Sequence, residues 1–199
     1  MACPVQATAH PHVWIEAQAV LVVDAGNRVE AVRIVWQFDE FFSAFALDEL
    51  NVDGNDEITA AEKEELARQY VESLVEWNYM TELLVDKEYG TFAPAEAYST
   101  DIEDGMIFLA FTLPLEEPVD ALAHAVALRM YDPTYYIAIE FAGNDAVSVE
   151  GTDHNCAVTI DRATPQFDTQ MLGESTFTNP DQAMGFGSMF AETARLACE

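Results

Sequence analysis

The strongest constraint on the fold lies between Val13 and Phe38. Residues Val13–Val23 are apolar almost throughout, and Asp24-Ala-Gly-Asn27 supplies turn-forming residues. Residues 29–38 then alternate Val32, Ile34, Trp36 and Phe38 against Arg33 and Gln37. Two such runs joined by an Asp/Gly/Asn turn predict a β-hairpin. Residues 40–50 and 59 to about 77 read as helices, the second carrying Leu66, Tyr70, Leu74 and Trp77 at helical spacing around a charged face. Strands are expected at 79–85, 95–102, 106–113, 122–131, 135–141 and 156–160, separated by Gly, Pro and Asp, and a last helix over about 181–196 after Asn179-Pro180. Successive strands without intervening helices favour antiparallel pairing. The expected class is α+β: a mainly antiparallel sheet, an inserted helix-loop-helix over about 40–77 and a C-terminal helix, in one domain over 10–199.

Composition narrows the partners. The chain holds 36 Asp and Glu against 8 Lys and Arg, a formal net charge of -28. Such a field repels phosphate backbones and anionic lipid surfaces, so nucleic acid is excluded. It fits either a protein kept soluble in a salty habitat or one that attracts cations. No run approaches the roughly 18 apolar residues of a membrane-spanning helix, so no direct membrane insertion is expected. Residues 1–9 read as a signal-peptide remnant or linker, because Ala7-Thr-Ala9 has the small-x-small form that signal peptidase recognises. Cleavage there leaves Cys156 and Cys198 as an even pair able to form a disulfide in an oxidising compartment, the alternative being two unrelated buried thiols.

Residues 51–62, Asn51-Val-Asp-Gly-Asn-Asp-Glu-Ile-Thr-Ala-Ala-Glu62, fit a twelve-residue EF-hand loop. Asn51, Asp53, Asn55, Glu57, Thr59 and Glu62 are the candidate Ca²⁺ ligands, with Ile58 at the apolar position. Ca²⁺ needs six or more converging oxygens, which this spacing provides. Two positions depart from the pattern: Asn51 replaces the leading Asp, and Asp56 stands where Gly usually supplies a positive φ. With few charged ligands and no paired hand, the expected affinity is on the order of 10⁻⁴ to 10⁻³ M. Thr59-x-x-Glu62 is also a capping box, which needs no metal.

Of four histidines, His10 and His12 flank Pro11. In an extended segment they point to one side and reach one Ni²⁺, Co²⁺, Zn²⁺ or Cu²⁺ ion. Were His10 the mature N-terminus, its amine and imidazole would add a histidine-brace chelate. The alternative is a polar start to the first strand. His124 reads as a core or interface histidine inside a strand, and His154 as a loose ligand candidate beside Asp153. Asp39 and Glu40 end a strand, and residues 131–136 form a phenol-rich turn. No Ser/His/Asp motif, phosphate-cradling Gly loop, zinc-protease motif or CxxC is visible, so no enzyme is expected.

Together, His10-Pro-His-Val-Trp-Ile15, Trp36-Gln-Phe-Asp-Glu-Phe-Phe-Ser-Ala-Phe45, the loop at 51–62, Tyr131-Asp-Pro-Thr-Tyr-Tyr136 and the tail from Phe186 to Cys198 resemble a bacterial family, domain of unknown function number one thousand and seven. The resemblance implies a periplasmic protein, often labelled a periplasmic component of an ABC-type transport system and associated with nickel/cobalt-type permeases. Its members usually show Asp-x-Asp-Gly-Asp-Gly in the loop, from which this chain departs. The expected function is a periplasmic metal-binding accessory protein using His10 and His12, with Ca²⁺ at the insert and a membrane metal permease as partner. The alternatives are a non-enzymatic interaction module docking a permease and a copper enzyme with an N-terminal brace.

Overall fold

The alternation in the first forty residues folds as a hairpin. Strands β1 (Val13–Val23) and β2 (Arg28–Phe38) pair antiparallel, with Ile15 opposite Phe38, Ala17 opposite Trp36 and Leu21 opposite Val32, all buried. Asp24 closes the turn by accepting hydrogen bonds from the main-chain N–H groups of Gly26 (2.8 Å) and Arg28 (2.9 Å). The computed structural model describes residues 11–50, 58–152, 154–164 and 184–199. After β2 come helices α1 (Glu40–Leu50) and α2 (Ala60–Leu74), a 3-10 helix (Val75–Met80), and strands β3 (Thr81–Val85), β4 (Glu88–Tyr89), β5 (Glu96–Glu103) and β6 (Met106–Asp120). Strands β7 (Val126–Met130), β8 (Ile137–Phe141), β9 (Val147–Glu150) and β10 (Cys156–Asp161) follow, then a short helix α3 (Gly187–Phe190) and strand β11 (Thr193–Cys198).

The first sheet has the order β5-β6-β2-β1-β8, with β9 also on β1, and the second has β10-β11-β7-β3-β4. One apolar core joins them: Trp36 meets Phe111 edge to face at 5.2 Å, and its indole N–H points at the Met130 sulfur, 3.5 Å away. Pairing is antiparallel throughout except that β1 runs parallel to both β8 and β9. The expected antiparallel preference thus holds for sequence-adjacent strands and fails where β1 recruits distant ones.

Helices α1 and α2 lie within the expected span, and residues 51–57 between them lie outside the described residues. Asp39 caps α1, accepting from Phe42 N (3.0 Å) with one oxygen and from Trp14 N (2.8 Å) with the other, which ties the helix start to the head of β1. Ser43 is fully buried, donates to Phe38 O and accepts from Ile107 N (3.1 Å), docking α1 on β6. Leu66, Ala67, Val71 and Leu74 form the buried stripe of α2. The expected strand start at 79 is corrected: Asn78, Tyr79 and Met80 take φ of 50°, 54° and 49°, a left-handed run costing about 1–2 kcal/mol per residue. Asn78 Nδ2 to Thr81 O (2.7 Å) and Thr81 Oγ1 to Tyr79 O (2.8 Å) hold it.

The C-terminal helix expected over 181–196 is not found in the described part of that span. Only Gly187–Phe190 is helical, and Thr193–Cys198 is a strand between β10 and β7. Ala194 and Leu196 are buried while Arg195 and Ala197 are exposed, a period of two, so sheet pairing overrides the helix preference of Ala, Arg and Leu. The strand expected from 122 begins only at Val126, after a turn. Among the described residues no helix is long and apolar enough to cross a membrane.

Candidate functional site

His12 sits at the head of β1, where two motifs separated by more than half the chain meet. Its main-chain N–H donates to Tyr136 O (2.8 Å), and its exposed imidazole lies beside the Tyr136 ring with centroids 4.8 Å apart. The parallel register, Val13 beside Ile137 and Trp14 beside Ala138, fixes this meeting. His10 lies outside the described residues. The phenol-rich turn is built on Asp132, which is buried. One of its oxygens accepts from Thr134 N (2.8 Å) and the other from Ile137 N (2.9 Å), and Tyr135 N donates to Asp132 O (3.0 Å).

Behind the turn, at the edge of β8 away from β1, is a cavity of about 230 Å³ lined by Tyr131, Asp132, Tyr135, Glu140, Phe190 and Glu192, among others. Hydrogen bonds of a parallel strand alternate along its two edges. Side chains therefore replace a neighbouring strand on this edge: Asp132 takes Ile137 N, Glu192 takes Phe141 N (2.7 Å), and Arg162 donates to Phe141 O (3.0 Å). Glu192 is buried and paired with Arg162 at 2.7 Å. Tyr135 stacks on Phe190 at 3.9 Å, and Gly187 packs so closely on the turn that a Cβ there would stand 1.7 Å from Asp132 O. Tyr131 hydrogen-bonds Glu82; burial, and then Glu82, raise its hydroxyl well above the usual phenol range. Arg129 pairs with Glu82 (3.1 Å), lies over the Tyr131 ring and donates to Ser188 O (2.6 Å), fastening α3 to the second sheet.

The Asp132 and Glu192 carboxylates are thus engaged by main-chain N–H groups and, for Glu192, by Arg162. Among the described residues, no group of three or more His, Cys, Asp or Glu side chains is arranged to hold a metal ion. Of the loop ligands, Asn51, Asp53, Asn55 and Glu57 lie outside the described residues. Thr59 and Glu62 form the capping box of α2: Glu62 accepts from Thr59 N (2.8 Å) and Thr59 Oγ1 (2.7 Å), and these bonds hold its carboxyl below the usual range. Cys156 and Cys198 face each other across β10 and β11 and are joined by a disulfide.

Of the remaining histidines, His124 differs from expectation. His124 is not inside a strand; it stands half exposed in the turn before β7, with Nδ1 2.6 Å from Asp86. A strand pattern that ends in a polar turn misplaced it. His154 has Nδ1 3.2 Å from Glu199 O. Glu82, Arg162, Gly187 and Glu192 were not singled out from the sequence. A buried acid within an apolar tail and a glycine required by close approach leave no local pattern to read.

These observations define a class: a two-sheet α+β protein with a helical insert, a disulfide clasp between its last two strands, and an N-terminal strand head docked on a buried Asp-Pro turn. The chain belongs to the family described as Protein of unknown function (DUF1007), which matches residues 1–198. It is similar to an uncharacterized protein of Haemophilus influenzae, 25% identical over 199 residues that cover 96% of this chain and 92% of the relative. The resemblance carried by the His-Pro-His and Tyr-Asp-Pro-Thr-Tyr segments is therefore family membership. Neither description carries a reaction.

Proposed function

We propose that the protein is an accessory protein of the periplasm that binds and hands over a divalent transition-metal ion, Ni²⁺, Co²⁺, Zn²⁺ or Cu²⁺, through His12 together with His10. The observation that carries this reading is the attachment of His12 to Tyr136, which holds an exposed imidazole in place on a surface of strongly negative charge. Two imidazoles with open coordination positions suit an exchangeable ion, since structural sites close all four positions with protein ligands. The disulfide fits an oxidising compartment. Ca²⁺ at residues 51–62 would stabilise the insert, with Glu62 giving up its capping contact to become a ligand. A membrane metal permease is the proposed partner.

Calorimetric titration of the protein with each ion tests the metal reading. One ion per chain is expected, with uptake abolished in His12→Ala and in His10→Ala. Equal uptake by wild type and both variants overturns it. The second reading, an interaction module docking a permease without handling metal, is favoured by Trp14, Phe41 and Phe45, large side chains that are half or more exposed. It expects His12→Ala to leave permease activity unchanged and charged substitutions at Phe41 and Phe45 to reduce it. A copper enzyme requires His10 as the mature N-terminus and turnover with copper and a reductant.

A further inference from the structure

A second concavity, which His12 does not line, lies between the first sheet and the helical insert. Its volume is about 270 Å³, and its walls include Trp36, Phe38, Phe42, Tyr70 and Trp77. Phe38, Phe42 and Tyr70 are mutual neighbours, with centroids 4.8, 5.7 and 6.2 Å apart. Glu76 is the one charged residue among those lining it, and its carboxylate accepts the Trp77 indole N–H at 3.1 Å, so indole and carboxylate are set beside each other. Both come from the 3-10 helix whose exit is the left-handed run Asn78-Tyr79-Met80.

The electrostatics of the insert point one way. Between residues 40 and 80 the only cations are Lys63 and Arg68. Lys63 is paired with Asp101, and Arg68 lies between Glu65 and Glu72. Neither lines the cavity. Burial, and then the charge of Glu49, push the Tyr70 hydroxyl up to about 12, so it stays a neutral phenol. Aromatic walls alone would accept any apolar molecule. Aromatic walls with one carboxylate at the mouth, in an unneutralised negative field, favour a cation with an apolar coat, because ring quadrupoles and the carboxylate both attract positive charge while the walls exclude water.

We infer that this cavity is a binding site for a small organic cation of the alkylammonium class, held against Phe42, Tyr70 and Trp77 with Glu76 as counter-ion. A bare metal ion is a poorer fit, since it needs several converging oxygen or nitrogen ligands and Glu76 is the one carboxylate among the lining residues, which include no histidine or cysteine. The site is independent of His12.

Choline and its uncharged carbon isostere, 3,3-dimethyl-1-butanol, test the inference by calorimetric titration of the whole protein in chelator, so that no metal contributes. Choline is expected to bind one per chain and about tenfold more tightly than the isostere. Glu76→Gln, at an exposed position that leaves the core intact, is expected to weaken choline about fivefold and leave the isostere unchanged. Trp77→Leu is expected to weaken choline more than the isostere, with folding checked by circular dichroism. Equal affinity for choline and isostere would make the cavity a site for neutral apolar ligands and overturn the inference. Absence of binding by either to the folded wild type would overturn it as well.

Discussion

Tyr136 and Gly187 show how single positions shape the candidate site from outside its ligand set. Tyr136 holds His12 in two ways, through its main-chain carbonyl and through its ring. Replacing Tyr136 by Leu keeps the first contact and removes the second, so the imidazole is less ordered. Under the proposed metal reading, affinity should fall about tenfold, as for groups that orient a ligand without touching the ion; an unchanged affinity in calorimetry would show that the ring plays no part. Gly187 is required by space. A methyl group there would overlap Asp132 O, which belongs to the main chain and cannot swing aside. Gly187→Ala should therefore cost about 1–3 kcal/mol in urea unfolding, the range of overpacked cores, and a variant as stable as wild type would refute the close approach.

Among the elements, α2 carries the clearest energetic dependence. Thr59 satisfies the Glu62 N–H, and Glu62 returns the bond to the Thr59 N–H. Thr59→Ala should destabilise the protein by about 1 kcal/mol in denaturant titration. Because the folded-state pKa of Glu62 is lowered, its contribution is present above the unfolded glutamate value of about 4.3 and is lost as pH falls through the folded value. The gap in melting temperature between wild type and Glu62→Gln should accordingly close as pH falls from about 5 toward 3. A gap that stays constant would mean the carboxylate does not cap the helix. Under the proposed calcium reading, bidentate ligation by Glu62 would compete with this cap, since it would occupy both carboxylate oxygens.

At the scale of the molecule, the disulfide pins β11 to β10 at one edge of the second sheet. Cys156 and Cys198 are 42 residues apart in sequence, and linking them limits the unfolded chain. The chain-entropy account gives about 3–4 kcal/mol, or roughly a 10 °C fall in melting temperature for a domain of this size in Cys156→Ser/Cys198→Ser. A double variant melting within experimental error of wild type would show that sheet pairing of β10 with β11 suffices alone.

Much of this architecture was legible from local pattern. The hairpin, both helices of the insert, the Thr59 cap, the even cysteine pair and the approximate place of most strands follow from side-chain period, capping residues and turn residues, which act within a few positions along the chain. Alternation states which face of a strand is buried, yet it does not say which strand lies alongside. That choice belongs to long-range hydrogen bonding and packing. Only the tertiary structure decided that β1 takes β8 and β9 as parallel neighbours, which brings His12 to Tyr136. It also turned 193–198 into a strand, because a place between β10 and β7 outweighs helix propensity. The buried Glu192 with Arg162 and the aromatic cavity beside Glu76 likewise exist only once the sheets and the insert have packed, since each depends on groups that the chain carries far apart.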